Sequence, residues 1–293
     1  MKTSVGLKGI ENPAECREQL RLIREAGFDA IDINLATEGA RQVMNAPDAE
    51  KKADEIRGWI ADAGLEIGQG HAPFNPYVYG NPEKGNAVIR DIHACFPFAA
   101  RLGVRDLVVH PMRPRDTADP FFLNPAELID RNVAMLSAMV REAAPGGLTL
   151  CIENLFSVTP EGKSVHGYTS KADELNALMD AVPGLCICLD SGHAFITDTN
   201  PADLARAFGS RLRLLHLHGN NRKNDLHVSP FEMAQQPWEE LCRALAEIGY
   251  AGNLNLETMR FTDLTPAPLL PEAYRYLHAC AALLVGLIEK YRA

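Results

Sequence analysis

The chain lacks the features that would assign it at a glance. No Gly-x-Gly-x-x-Gly follows its first strand-like segment, so the phosphate loop of a dinucleotide-binding sheet is missing. Its seven cysteines form no Cys-x-x-Cys pair, and most fall within strand or helix interiors. They read as buried free thiols of a reducing cytoplasm. The longest apolar stretch, Ala279 to Ile288, is too short to span a bilayer and carries a helical pattern with its neighbours. The opening MKTSVGLKGI runs into a strand-like segment without an apolar leader, which again predicts a cytoplasmic protein with no membrane partner. Positive charge is also short. Against 38 acidic residues stand 29 Lys and Arg, and the net charge of −9 argues against a broad nucleic-acid surface. The loop arginines Arg113, Arg115, Arg222 and Arg260 are interspersed with Asp116, Asp119, Glu161, Asp198 and Glu232, leaving no basic stripe for DNA.

What is present is regular. Strand-like and helix-like segments alternate eight times, with strands expected at 4–7, 30–35, 66–71, 106–110, 148–154, 185–190, 212–218 and 253–258. They are short and rich in Val, Ile and Leu, as a parallel sheet covered on its outer face requires. The helices between them carry start and stop signals. Asn12-Pro13 opens the first and Gly27 ends it; Asp48 opens the second and Gly64 ends it. Pro82 opens the third, which runs towards Gly103 with a kink expected at Pro97. Asn124-Pro125, Ser170, Asn200-Pro201, Pro237 and Pro271 open the rest. Eight βα units in 293 residues, with no linker or low-complexity tract, predict one domain over 1–293 folded as a (β/α)8 TIM barrel. The longer connections, 112–123, 156–169 and 219–236, all follow strands, the side on which such barrels place active sites.

Ionisable residues gather at the strand ends. His71 ends the third strand (GQGHAP) and His110 the fourth (LVVHP). Glu153 stands on the fifth (CIENL), and Asp190 on the sixth with His193 three residues on (CLDSGH). The seventh delivers His216 and His218 and runs into a polar loop carrying Asp225-x-His227, and Glu257 closes the eighth (LNLET). Any one of these histidines is ordinarily a satisfied core residue, and any one carboxylate a solvated or structural one. Yet seven of the nine histidines fall at or beyond strand ends, which chance scatter over a half-helical chain does not give. Side chains alternate along a strand, so Cys151 shares a face with Glu153, and Cys186 and Cys188 with Asp190. Carboxylates buried at 153, 190 and 257 demand positive charge, and no buried lysine is expected at a strand end to supply it. A divalent cation answers that demand.

The ordered set GHAP, VVHP, IEN, DSGHA, HLH, DxH and a glutamate ending the eighth strand resembles the xylose-isomerase-like barrel superfamily. That group includes endonuclease IV and many sugar isomerases and epimerases, and the resemblance spans nearly the whole chain. It implies a barrel with divalent metal (Mn, Co, Mg or Zn) at its C-terminal mouth, in a shared mononuclear site of Glu153, Asp190, His216 and Glu257. The fuller endonuclease IV pattern adds His71, His110, His193, Asp225 and His227 and implies up to three zinc ions. His71, His110 and Glu153 would hold one, the shared four the second, and His193, Asp225 and His227 the third. The chain departs from that pattern after the DxH, where it reads VSPFEMAQQPW instead of a glycine-glutamate-glycine type turn. Arg222, six residues after His216, has a spacing similar to that of a substrate-binding arginine in tagatose-type ketose epimerases.

The leading expectation is a divalent-metal-dependent sugar or sugar-phosphate isomerase or epimerase. Glu153 and Glu257 would move protons beside a carbonyl held by the cation, with His193, Arg222 and His218 contacting the substrate. The loop aromatics Phe74, Tyr77, Tyr79, Phe121, Phe122 and Phe156 would wall the pocket. A homo-oligomer is compatible with this reading. The alternative is a zinc-dependent phosphodiester hydrolase of the endonuclease IV (AP endonuclease) type, in which a metal-bound hydroxide attacks phosphorus. A non-enzymatic binding barrel is a third reading, but it would leave far more ionisable groups in the site than binding needs.

Overall fold

The computed structural model describes residues 1–78, 80–233 and 236–292. Ten strands occur among them: β1 (Thr3–Leu7), β2 (Ala30–Asn34), β3 (Glu66–His71), β4 (Asp106–Val109), β5 (Thr149–Glu153), β6 (Ser157–Val158), β7 (Ser164–Val165), β8 (Cys186–Asp190), β9 (Leu212–His216) and β10 (Leu254–Leu256). Eight of them form one parallel sheet in the order β10-β1-β2-β3-β4-β5-β8-β9, while β6 and β7 make a small antiparallel hairpin. The sheet closes through Leu217. Its N–H donates to the Asn255 carbonyl at 3.1 Å, and its own carbonyl accepts from the Glu257 N–H at 3.1 Å. The result is the expected (β/α)8 barrel.

The strands form where sequence and burial agree. AIDIN of β2 and CICLD of β8 are buried over nearly their whole length, because helices cover one face and the barrel interior the other. Inside, Val108, Cys151, Cys188 and Leu214 pack into an apolar floor beneath the mouth. Residues two positions further along those strands rise above this floor, and these are the ionisable ones. Register shifts at Ile31/Asp32 and Ile187/Cys188 set His71 beside Asn34 and Asp190 beside His216, and the unshifted β5–β8 ladder sets Glu153 beside Cys188.

Four helices begin as their Asn-Pro signals predict. Asn12, Asn81, Asn124 and Asn200 each accept a hydrogen bond from a first-turn N–H of the helices Pro13–Ala26, Pro82–Leu102, Pro125–Ala143 and Pro201–Phe208. Each cap contributes about 1 kcal/mol. The helix Pro82–Leu102 continues through Pro97, and Gly103 ends it in the left-handed region at φ 104°. Ser170 does not open a helix. Its hydroxyl binds the backbone of Gly167 instead, and the helix starts at Ala172. Four short helices also sit in segments that read as loops: Glu38–Met44, Pro120–Leu123, Ser191–Ile196 and Met259–Leu264. All follow barrel strands at the mouth and are too short to show a helical period. Strands end slightly early for a related reason. His110, Asn154, His218 and Glu257 lie just past the ladders, where the chain turns outward into these connections. Among the described residues no helix is long and apolar enough to cross a membrane.

Candidate metal centre and active site

The strand ends converge on one point. His216 Nδ1 lies 2.8 Å from Glu153 and 3.3 Å from Glu257, and Asp190 completes a four-residue group. One donor atom from each of these four lies within 4.8 Å of the others, the spacing that bonds of about 2.0–2.2 Å to a common ion require. Two further groups flank it. His110 Nε2 is 2.5 Å and His71 Nε2 3.6 Å from the second Glu153 oxygen. On the other side, Asp225 stands 3.2 Å from His193 Nε2 and 3.0 Å from His227 Nε2. The structure thus assembles all nine of the residues singled out above into the three groups that the resemblance implies.

The imidazoles are oriented for donation. The Nδ1–H of His71 donates to the Ala72 carbonyl at 2.8 Å, that of His193 to the Asn154 carbonyl at 2.9 Å, and that of His227 to the Glu257 carbonyl at 3.1 Å. Each bond fixes the tautomer that turns Nε2 towards the carboxylates. His216 is turned the other way, with Nδ1 facing the carboxylates and Nε2 3.3 Å from Asp32. Asp32 is buried one layer below, where Gln69 and Asn255 donate to its Oδ2 at 3.0 and 2.9 Å. Asn154 ties β5 to β8 by accepting from the Asp190 N–H at 2.7 Å and donating to the Asp190 carbonyl at 2.9 Å.

Burial alone would protonate these carboxylates. The charges beside them reverse that. Burial raises the Glu153 pKa, but His216 and His110 outweigh it and hold it well below the carboxylate range. Glu257 is brought to about 2, burial being outweighed by His216 and His227. Correspondingly, burial lowers His193, yet Asp190 and Asp225 carry it up to about 10. His110 alone yields to burial and falls to about 4. Without a metal, then, protons on imidazoles offset the carboxylates. A divalent cation can take that part, and the Asp225 Oδ1, which makes no hydrogen bond and faces His218 Nε2 at 3.5 Å, has a lone pair to offer it. The donor set fits such an ion.

The remaining expected contacts are placed unevenly. His218 is fully buried, its Nε2 3.2 Å from Asp190 and its ring stacked on His227 at 4.2 Å, so it belongs to the wall of the site. Gly192 makes room for it, since a Cβ there would overlap the His218 ring. Arg222 pairs with Asp198, lies over Phe195, and lines a neighbouring cleft of about 630 Å³ rather than the centre. Of the loop aromatics, Phe74 covers His110 at 4.8 Å and Phe156 covers His193 at 5.1 Å, whereas Tyr77 and Phe121 pack on each other. Phe122 lines a small cavity away from the centre, and Tyr79 lies outside the described residues. Sequence reasoning missed Asp32, Gln69 and Asn255. Their only signal was a polar residue in mid-strand.

A closed parallel barrel whose mouth gathers carboxylates and imidazoles over an apolar floor defines a class of TIM barrels with candidate metal-ligand clusters at the strand ends. The chain belongs to the xylose isomerase-like TIM barrel family, whose model matches residues 20–280. A relative, the uncharacterized protein y4fM of Sinorhizobium fredii, is 26% identical over 281 residues, covering 83% of this chain and 80% of its own. Among solved structures, a D-tagatose 3-epimerase-like protein matches with a TM-score of 0.72 at 22% identity over 100% of both chains. A D-psicose 3-epimerase in the presence of D-fructose matches with 0.72 at 19% identity, over 98% of this chain and 100% of its own. At these identities the likeness is one of fold.

Proposed function

We propose that the chain is a divalent-metal-dependent sugar isomerase or epimerase that moves a proton on the carbon beside a ketose or aldose carbonyl. One observation carries this reading: Glu153 from β5 and Glu257 from beyond β10 reach the same His216 nitrogen, at 2.8 and 3.3 Å. Two carboxylates arriving from separate arcs of the mouth can address the two faces of one carbon. A cation held by Glu153, Asp190, His216 and Glu257 would supply a Lewis acid for the carbonyl and neighbouring hydroxyl oxygens. Glu153 takes the proton from the carbon, and Glu257 relays one to the opposite face from the protonated His227 imidazole 3.3 Å away, so configuration inverts with no net proton consumed. His193 lies where it can hold a substrate hydroxyl, and Phe74 and Phe156 shield the reacting carbon from water. The ketose epimerases among the similar solved structures support the same reading by analogy.

The test is deuterium wash-in. Protein loaded with Mn, Co, Mg or Zn is incubated with ketoses and ketose phosphates in D2O, and NMR should show label on the carbon beside the carbonyl together with the epimer or isomer. No exchange with any sugar under any of the four metals overturns the proposal. The two outer groups favour a second reading, a zinc phosphodiester hydrolase, because each offers the three donors that a zinc site needs. Two or three zinc ions per chain, with salt-sensitive binding and incision of duplex DNA containing an abasic site, would transfer the assignment to it.

A further inference from the structure

The arginines near the mouth are engaged differently. Arg222 is held by Asp198, and Arg115 by Asp116 at 2.9 Å. Arg113 is not. It stands three residues past His110, partly buried, with its Cζ 5.9 Å from the centre of the Phe156 ring. Phe156 in turn packs on His193. Among the described residues the Arg113 guanidinium makes no hydrogen bond and no ion pair, although the charges of Asp225, Glu153 and His110 all reach it. Burial lowers its pKa and the two carboxylates raise it again, so it stays charged at the inner edge of the site.

Its backbone is built to present it. Pro111 and Pro114 flank the segment, and the neighbouring Met112 is clamped by buried Asn132, whose Oδ1 accepts from the Met112 N–H at 2.7 Å and whose Nδ2 donates to the Met112 carbonyl at 3.1 Å. A guanidinium has five N–H donors in a fixed fork, and here none is used. Partly desolvated, it needs an acceptor that the chain does not supply. Lying on an aromatic face beside the reacting centre, that fork matches the paired oxygens of a phosphate or carboxylate. A lone arginine suits one anionic group, not a polyanion.

We propose that Arg113 anchors an anionic substituent of the substrate, so that the sugar handled at this centre is a phosphorylated or an acidic one. This rests on the epimerase reading of that centre. The experiment compares metal-loaded wild type with Arg113→Gln and Arg113→Lys. Deuterium exchange is measured on D-fructose, D-fructose 6-phosphate and D-fructuronate, and calorimetry follows inorganic phosphate and D-gluconate. Wild type should favour one charged sugar over the neutral one by at least about tenfold in kcat/KM, and whichever it favours tells phosphate from carboxylate. Arg113→Gln should bring that ratio to near one by raising KM on the order of 10–100-fold, with Arg113→Lys keeping part of the preference. Equal use of neutral and charged sugars by wild type, or a ratio untouched in Arg113→Gln, overturns the proposal. If no sugar exchanges at all, the epimerase reading fails separately and calorimetry decides for Arg113. Weaker binding of phosphate or gluconate to Arg113→Gln upholds the anchor, and equal binding removes it.

Discussion

The two outer donor groups flank the same centre but are made of different material. His71 is the last residue of β3, His110 follows β4 by one position, and Glu153 is the last residue of β5, so neighbouring strands of one ladder hold all three. On the opposite side, His193 comes from the short helix Ser191–Ile196, and Asp225 and His227 from the long loop after β9. His71 and Glu153 are buried, whereas the Asp225 side chain keeps 26% of its exposure. His227 also sits in the left-handed region at φ 47°, and Arg222 of the same loop at 64°. A non-glycine residue there costs on the order of 1 kcal/mol, which the loop's ties to the barrel must offset. Those ties include the Gly219–Val228 bridge, the His227 bond to the Glu257 carbonyl and the Gln236 side chain, which donates to the His218 carbonyl at 2.7 Å. The sheet register places the first group; loop closure places the second. The strand-borne side is thus the more rigidly placed, and the loop-borne side the more adaptable.

The largest break in that comparison should come from the residues that join its halves. Glu153 belongs to the central and strand-borne groups, and Glu257 to the centre and, 3.3 Å from His227, to the loop-borne side. Glu153→Gln and Glu257→Gln each remove a ligand charge and a proton acceptor together. Each should cut kcat on the order of 1,000-fold or more with the circular dichroism spectrum unchanged. Normal turnover in either variant, at unchanged metal content, would strip both glutamates of their proposed roles.

A smaller effect is expected one layer down. Asp32 faces His216 Nε2 at 3.3 Å and holds the ring with Nδ1 towards the carboxylates. Asp32→Asn should weaken metal affinity about 10–100-fold, the usual consequence of losing a carboxylate behind a ligating histidine. Competition against a chelator measures this without any substrate. An affinity equal to wild type would make Asp32 merely a buried packing residue.

Asp32 also marks where sequence reading stops. His71, His110, Glu153, Asp190 and His216 were legible because parallel strands of a barrel all end at one mouth, so a residue's place at a strand end already fixes its neighbourhood. The order of the barrel followed from the same alternation. Asp32, Gln69 and Asn255 lie mid-strand; Asp32 and Gln69 are brought level by a register shift between β2 and β3 that no periodicity reveals, and Asn255 reaches Asp32 from β10. Arg113 was visible as a charge but not as an inward one, since that depends on Asn132 clamping the loop from a helix twenty residues on. The four short mouth helices left no period to count.

The finest division lies within the loop-borne group itself. If the central ion is the only one, Asp225, His193 and His227 serve the substrate and hold no metal. Asp225→Ala should then leave the metal count at one per chain and raise KM about tenfold, because two histidines lose the acceptor that orients them, at 3.2 and 3.0 Å. The matching strand-side variant, His110→Ala, provides the contrast, since its ring lies against Glu153 and its loss should disturb a ligand of the central ion directly. If the site is multinuclear, Asp225→Ala leaves only two of three protein donors, too few to keep zinc firmly bound. It would then lose one full equivalent by elemental analysis. That loss would defeat the mononuclear reading and make the loop a metal-binding element in its own right. An unchanged count with a raised KM would leave the loop to the substrate and the ion to the strands.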